Sequence, residues 1–352
     1  MKARAHIVSV GARTALGQDA LQTAMLFRAG CAAMAAAPLV DGDGDQVTMC
    51  FDPTLPPLLV GWERAVQLAV SALDEALEPL GELVEGSRVR LALCMDERYG
   101  LAERGSADAD AATALAMGIS DRLQQKLPGA SVEVTARGNA SAAVSLTDGL
   151  ASLEGRQCDA LVLGAVHTDY DPPWIQSLSE RGRLFKADNL DSFIPGELAA
   201  FLILMREDVM RRAGLPALAG VVNVATGTET ATPEDDRSAY EAKGLTYTVR
   251  EATAGMVEEG LSAGWALTDL TFEQRRVHEW QSVLIRTRKV WTEPYMVESP
   301  AQRMGNLGAA AIPLGMVLAA VGWRCRSAPA PVAVVFAGSD GGARGAVLLA
   351  TP

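Results

Sequence analysis

The sequence predicts an α/β fold in which helices cover a central sheet. Apolar runs of strand length alternate with stretches of helical length along the chain, as expected for a covered sheet. The segment Ala199–Met205 is almost unbroken in apolar content, which is typical of a strand buried on both faces. The chain has 352 residues, 49% of them hydrophobic, which suffices for a substantial core in two domains or one large duplicated one.

The elements of the N-terminal part follow in a regular order. A first strand is predicted at Ala5–Val10, ending at Gly11 and Arg13. The stretch from Asp41 to Pro57 is rich in Asp and Pro and predicts a surface loop. The next elements are predicted as a helix at Trp62–Leu77, a strand at Val89–Met95, a helix at Ala109–Gln125, a strand at Val132–Val134, a helix from Ser141, and strands at Ala160–Gly164 and Ala199–Met205.

A second series of elements begins after the charged stretch Arg206–Pro216. We therefore predict an N-terminal half at 1–213 and a C-terminal half at 214–352, although no sequence repeat is clear enough to show duplication. Thr226–Asp236 predicts a second loop. The elements predicted here are Ala217–Ala225, a helix near Arg250–Gly260, a strand near Leu267–Leu270, a helix near Arg276–Thr287, Met296–Glu298, a small-residue helix, and strands at Pro331–Phe336 and Ala346–Ala350.

Composition excludes several classes of function. The net charge of -12 argues against a phosphate-binding surface, so nucleic acid is not expected as a partner. Lys2–Leu16 lacks the apolar stretch of a signal peptide, which predicts a cytoplasmic protein. Leu307–Gly322 is uncharged, but it is rich in Ala and Gly and shorter than the roughly 20 residues of a membrane span, so it predicts a buried helix.

Cysteines and histidines give no pattern of a metal site, a disulfide framework or a cofactor. The five cysteines are scattered and show no C-x-x-C pair, which is typical of small core residues in a reducing compartment. The three histidines, His6, His167 and His278, lie far apart and share no short motif. We expect no metal and no cofactor.

The candidate site begins at Gly138-Asn139-Ala140-Ser141. A short strand feeds a helix of small residues here, and the N–H groups of such a helix start can lower the pKa of a nucleophile and receive an oxyanion. Asn139 stands at the position that this geometry favours for a nucleophile. A carboxamide can donate or accept hydrogen bonds there, but it cannot attack.

Five segments together resemble a shortened β-ketoacyl synthase of the thiolase-like superfamily. Their order and spacing match the family's opening strand and glycine loop, its nucleophile turn, its Phe-x-x-Gly-Glu segment, its Ile-Gly-His loop and its C-terminal glycine loop. The segments are Ile7–Gly17, Gly138–Val144, Phe193–Ala199, Met304–Ala311 and Ala337–Gly342. The resemblance implies a thiolase-like duplicated layered fold (α-β-α-β-α) with two mixed central sheets, and a homodimer whose sheets pair across the axis.

The resemblance also implies a catalytic cysteine, two histidines and a lysine, and this chain departs from all four. Asn139 stands at the cysteine position, Asn306 at the second histidine and Ala301 at the lysine, so these positions are vestigial. The first histidine should follow the strand near Leu267–Leu270, but 271–276 contains none. Asp340 stands where the family has a gating phenylalanine. Loss of these groups together predicts a protein that does not condense acyl units.

Other groups complete the candidate pocket. Ser141 is expected to hydrogen-bond in a first helical turn, Ser339 lacks a neighbouring base, and Cys94 lies near acidic residues that raise a thiol pKa. His167 is the best stray base, although a loop histidine is the commoner interpretation. The candidate pocket residues are Gly138, Asn139, Ser141, His167, Phe193, Glu197, Met304, Asn306, Ser339, Asp340 and Gly341.

Several functions stay open. The favoured one is a catalytically degenerate ketosynthase-like binding or accessory module, with Asn139 and Asn306 forming a neutral amide pair as a structural plug. The resemblance suggests an acyl carrier protein or a type VI secretion accessory protein as partner, and the acidic patches Asp41–Asp45 and 234–236 could meet a basic one. The alternatives are a decarboxylase or chain-length partner, an active acyltransferase of fatty-acid or polyketide metabolism with a rearranged site, and a binder of acyl carrier or CoA without chemistry.

Overall fold

A ten-stranded sheet forms the framework of the computed structural model, which describes residues 1–80, 87–232 and 241–352. The sheet has the order β10-β9-β11-β12-β8-β1-β7-β6-β4-β5, and β2 and β3 form a separate hairpin. The strands are β1 (Ala5–Thr14), β2 (Met34–Val40), β3 (Gln46–Cys50), β4 (Val89–Met95), β5 (Ser131–Ala136), β6 (Ala160–Thr168), β7 (Glu197–Met205), β8 (Ala219–Thr228), β9 (Ala263–Thr268), β10 (Trp291–Glu298), β11 (Val332–Gly338) and β12 (Ala343–Ala350).

The sheet consists of two five-stranded halves with the same internal order. In the first, β5, β4 and β6 are parallel and β7 and β1 complete the set by antiparallel pairing. In the second, β10, β9 and β11 are parallel, and β12 and β8 follow in the same way. The predicted pair of mixed sheets is confirmed, with one addition: β1 and β8 hydrogen-bond over 5–7 and 219–221, which joins the two. The division at 213/214 stays a prediction.

The helices form the layers above, below and between the two halves of the sheet. Helices α5 and α11 lie between the halves, since each packs on strands of both, while α2 covers the outer face of the first half and α8 that of the second. The helices are α1 (Ala20–Arg28), α2 (Gly61–Leu77), α3 (Glu97–Leu101), α4 (Ala107–Lys126), α5 (Ser141–Glu154), α6 (Pro172–Glu180), α7 (Glu207–Arg212), α8 (Lys243–Glu258), α9 (Gln274–Arg286), α10 (Ala301–Met304) and α11 (Ala311–Arg324).

Two strands are longer than predicted because their glycines make room for neighbours instead of ending the strand. β1 continues through Gly11 to Thr14, and a Cβ on Gly11 would lie 2.0 Å from the carbonyl oxygen of Ala72 on α2. β6 continues through Gly164 to Thr168, and a Cβ on Gly164 would lie 2.1 Å from the ring of Phe201. A strand glycine often marks such a close approach. His167 is therefore a buried strand residue, and its interpretation as a loop histidine is wrong.

Smaller differences concern the loops and the second half. The predicted loop around Asp41 is the turn between β2 and β3. The β2–β3 hairpin itself, α1 and α6 were not predicted. Thr226 lies inside β8, and 233–236 of the second predicted loop lie outside the described residues. β9 begins four residues before the predicted Leu267. Among the described helices, none combines the length and apolar content needed to cross a membrane.

Candidate functional site

A cavity of about 380 Å³ opens at the carboxyl ends of the parallel strands of both halves. Because these ends meet at one edge, side chains that follow β4, β6, β9 and β11 converge there. The described lining consists of Asp96, Glu97, Arg98, Leu101, Gly138, Asn139, His167, Asp169, Trp174, Leu178, Arg181, Arg183, Phe193, Thr232, Arg276, Asn306, Gly308, Asp340 and Gly341. Seven of the predicted pocket residues are among them: Gly138, Asn139, His167, Phe193, Asn306, Asp340 and Gly341.

Asn139 lies in a single 3-10 turn that leads directly into α5. Gly138 opens this turn with a φ of 63°, a conformation that favours glycine, and a Cβ there would lie 2.7 Å from the Cγ of Glu97. The Asn139 side chain is buried, and its Nδ2 donates a hydrogen bond to Oδ2 of Asp269 at 2.7 Å. The carboxamide is thus fixed by a carboxylate, not left free in the cavity.

Asp269 is among the site residues that the sequence prediction missed. β9 ends at Thr268, so Asp269 is the first residue after the strand, where the resemblance places the first histidine. The prediction searched 271–276, because it placed the strand end at Leu270. The Asp269 Oδ2 atom also accepts hydrogen bonds from Nη1 of Arg276 and from the backbone N–H of Gly338, both at 3.1 Å. A polar residue directly after an apolar run was the signal that could have identified it.

A cluster of ion pairs forms one side of the cavity. Arg276 donates to Asp340 at 3.0 Å and to Glu273 at 3.1 Å, and Arg183 pairs with Glu273 at 2.8 Å and with Asp340 at 3.1 Å. Burial raises the pKa of Asp340, but Arg276 and Arg183 outweigh this and hold it below its ordinary value. Asp340, which stands where the resemblance places a gating phenylalanine, is therefore ionised and lies between two guanidinium groups.

His167 lies between two carboxylates on the opposite side. Its Nδ1 is 2.8 Å from Oδ2 of Asp96, and its Nε2 is 3.0 Å from Oδ2 of Asp169. Burial lowers the pKa of His167, but the charges of Asp169 and Asp96 and their hydrogen bonds raise it to about 10. The ring is therefore an imidazolium at neutral pH, and both of its N–H groups donate to carboxylates.

Asn306 joins the same carboxylate as His167. Its Nδ2 donates to Oδ2 of Asp169 at 3.1 Å, and its Oδ1 accepts from the N–H of Gly308 at 3.3 Å. Asn139 and Asn306 thus line one cavity, but their amide nitrogens donate to different carboxylates. The neutral amide pair expected from the sequence is replaced by two amide–carboxylate pairs.

Comparison with known proteins identifies the architecture. No family model and no curated protein matches the chain. The chain aligns over 100% of its length, and over 100% of the other chain, with a structure described as a type II PKS acyl-carrier protein in complex with its ketosynthase bound to the hexaketide, with a TM-score of 0.82 and 12% identity. The chain has a ketosynthase fold.

Two further structures agree with the ketosynthase fold. The ishigamide ketosynthase/chain length factor aligns over 100% of both chains, with a TM-score of 0.77 and 16% identity. The ketosynthase from module 6 of the bacillaene synthase of Bacillus subtilis 168 aligns over 99% of this chain and 72% of its own, with a TM-score of 0.76 and 16% identity. Identities this low establish the fold, so the chemistry has to be argued from side chains.

Within the ketosynthase fold, the remaining predicted site residues lie behind the cavity wall. Ser141 donates to the carbonyl of Met95 at 3.2 Å, and Ser339 donates to the carbonyl of Arg137 at 2.5 Å. Both hydroxyls therefore hold the nucleophile turn in place. Met304 and Ala301 are buried in the hydrophobic core, where neither side chain lines the cavity.

Glu197 also lies outside the cavity and forms a buried ion pair. Its carboxylate accepts hydrogen bonds from Nε of Arg64 at 2.7 Å and from Nη2 at 2.8 Å, and both side chains are almost fully buried. Thr168 and the N–H of Asp52 donate to the same carboxylate. A bidentate, fully hydrogen-bonded pair of this kind supports the loop after β6 and not a reaction.

Two buried thiols of the chain, those of Cys50 and Cys94, are not activated. Burial raises the pKa of Cys94 to about 12, and its Sγ contacts Oγ of Ser145. Burial likewise raises the pKa of Cys50 to about 12. In the described part of the chain, no group of three or more His, Cys, Asp or Glu side chains is arranged to hold a metal ion.

Proposed function

We propose that this chain is a ketosynthase-like protein that does not condense acyl units and acts as a binding or accessory module. The observation that carries the proposal is the hydrogen bond between Asn139 and Asp269 at 2.7 Å. The residue at the expected nucleophile position is thereby a carboxamide held by a carboxylate. The carboxamide cannot attack a thioester, and the Asp269 oxygen that holds it already accepts three hydrogen bonds.

The rest of the described lining supports this proposal. It contains no cysteine and no serine, and its one hydroxyl belongs to Thr232. His167 has no free ring nitrogen to accept a proton, because Asp96 and Asp169 engage both. A general base has to bring a free lone pair within hydrogen-bond reach of the proton that it removes.

The test is intact-protein mass spectrometry after incubation with a panel of acyl-CoA and acyl-carrier thioesters. We expect no covalent adduct under conditions in which a condensing ketosynthase, run in parallel, becomes acylated. A stoichiometric adduct mapped to one Cys or Ser would overturn the proposal and support the alternative, an active acyltransferase of fatty-acid or polyketide metabolism with a rearranged site.

A homodimer is the second part of the proposal. β5 is an edge strand whose residues are exposed or half-buried, with Val134 46% exposed, and an edge strand of this kind presents unpaired backbone groups to another chain. Light scattering on the native chain should give twice the mass of the monomer. Val134→Lys should shift it toward the monomer, whereas Leu58→Lys, at a site 94% exposed, should not.

The partner is proposed from the neighbours and from the charges. A structural neighbour is described in complex with an acyl-carrier protein, which supports an acyl carrier protein as partner. Co-purification with a carrier protein tests this, and a type VI secretion accessory protein stays a prediction.

The predicted acidic patch at the β2–β3 turn is partly neutralised, because Lys186 pairs with Asp41 at 2.5 Å and with Asp43 at 2.7 Å. The second patch, 234–236, lies outside the described residues.

A further inference from the structure

The cavity wall is too highly charged to suit an acyl chain. Nine of its nineteen described lining residues are ionisable, and five of these are basic in a protein of net charge -12. An apolar ligand would displace water from these charges without replacing its hydrogen bonds, which is unfavourable. The occupant that this wall favours is therefore polar.

Positive charge is concentrated around one indole ring. The guanidinium groups of Arg98 and Arg181 lie 4.7 Å and 4.8 Å from the ring centroid of Trp174. The indole Nε1 donates to Oδ1 of Asp169 at 2.8 Å, which fixes the ring between the two arginines. Two arginines held by stacking keep their N–H groups oriented and pre-organised to bind an oxyanion.

Among the described residues, these two arginines form fewer close ion pairs than the other cations of the wall. The carboxylate that pairs with Arg98 is that of Asp171, at 3.6 Å, whereas Arg183 and Arg276 each pair with two or more carboxylates at about 3 Å. Arg181 forms no ion pair with any described residue. An anion that enters the cavity would therefore form its strongest charge-assisted hydrogen bonds with the two arginines beside Trp174.

Two buried donors in the same wall lack acceptors. The Nε atoms of Arg98 and Arg183 have no hydrogen-bond partner among the described residues. A buried N–H without an acceptor is costly, so an acceptor brought within reach of either Nε would be favourable. Arg183 also stacks on Phe193, with 5.1 Å between its guanidinium carbon and the ring centroid.

We infer that the cavity binds a small oxyanion-bearing molecule, a carboxylate or a phosphate, on the wall formed by Arg98, Arg181 and Arg183. A volume of about 380 Å³ suits a small molecule. The inference rests on the proposed non-covalent function and gives it a ligand class opposite in polarity to an acyl chain. Glu97 and Asp340 also line the cavity, and their carboxylates would accept hydrogen bonds from hydroxyl or amino groups of the same ligand.

The experiment is isothermal titration calorimetry, in which the full chain is titrated with succinate and with inorganic phosphate at constant ionic strength. An uncharged octanoyl thioester serves as the neutral probe. We expect one of the two anions to bind and the neutral probe not to bind. The anion that binds distinguishes a carboxylate from a phosphate ligand.

Variants locate the anion. Arg181→Gln should weaken anion binding at least tenfold, because this exposed arginine stacks on Trp174 and forms no ion pair that the fold would miss. Arg211→Gln is the matched control, since Arg211 is exposed, lies on α7 and does not line the cavity, and it should leave the affinity unchanged. Absence of binding by both anions, or equal affinity in native protein and Arg181→Gln, would overturn the inference.

The two proposals fail separately. An acyl adduct in the mass spectra would remove the proposed function whatever the titration gives. No adduct together with no anion binding would leave an accessory role standing and remove this ligand class. Binding of the neutral thioester in preference to both anions would also reject the ligand class, because it would require an apolar pocket.

Discussion

The charge of His167 gives the sharpest prediction. His167→Gln replaces an imidazolium that is 4% exposed and lies between the carboxylates of Asp96 and Asp169. The variant keeps a polar side chain of similar size but leaves two carboxylates in a buried site without a cation. The native protein should therefore be more stable than the variant, by an amount that depends on pH.

The sign and size follow from the pKa. The pKa of His167 is about 10 in the folded protein against an ordinary 6.5, so the imidazolium contributes its full stability below pH 6.5 and loses it as pH rises through 10. At about 1.4 kcal/mol per pKa unit, this interval corresponds to at most about 5 kcal/mol of unfolding free energy. Ionisation of the buried Cys50 and Cys94 and of the half-buried Tyr99 also lowers the stability of the protein at high pH, since the pKa of each is raised to about 12. This effect is equal in the native protein and the variant.

The assay is urea unfolding followed by tryptophan fluorescence for native protein and variant, from about pH 6 to about pH 10. The difference between their unfolding free energies should be largest near pH 6.5 and shrink steadily toward pH 10. Lys289→Gln, at an exposed position, is the control and should shift stability by no more than about 0.5 kcal/mol. A difference that stays constant over this range would refute the reasoning, because it would mean that the ring is neutral in the fold.

Three further changes test the network around the site. Asn139→Asp would set two carboxylates at the 2.7 Å contact with Asp269, which should cost about 1–3 kcal/mol at neutral pH and be partly recovered in acid, as thermal melts at two pH values would show. Glu197→Gln removes one charge of a buried pair and should cost about 3–5 kcal/mol in urea unfolding. Gly308→Ala would place a Cβ 2.2 Å from Nδ1 of His167 at a φ of 46°, so it should displace the ring and abolish the pH-dependent difference described above.

The fold was predictable because its signals are local. β4 was predicted at its observed bounds, Val89–Met95, and α2 to within one residue, since apolar periodicity decides these elements. Gly164 misled the prediction because a glycine can end a strand or admit a large neighbour. Only the position of Phe201, on a strand far along the chain, decides between these two roles.

The site was predictable in position and not in chemistry. Asn139, Asn306 and Asp340 were identified from glycine-containing segments, and all three line one cavity because these segments follow strands whose ends converge. Asp269 and Arg276 carry no motif. The place of Asp269 directly after an apolar run marks the end of a strand, but it does not identify Asn139 as its partner. Their roles depend on contacts between loops that the sheet brings together.

The large sequence separation of the residues in contact explains why the chemistry of the site could not be predicted from the sequence alone. Asp96 and His167 are 71 residues apart, and Arg276 and Asp340 are 64 apart, yet each pair meets at about 3 Å. In sequence, each of these residues is an isolated polar side chain, for which solvation is the ordinary expectation. Buried together, they must neutralise one another, because an unpaired charge in such a site is far more costly than a paired one. Asn139 and Asn306, at the positions that the resemblance assigns to the nucleophile and the second histidine, therefore belong to a charge-paired network, in which their amides complete the hydrogen bonding of Asp269 and Asp169.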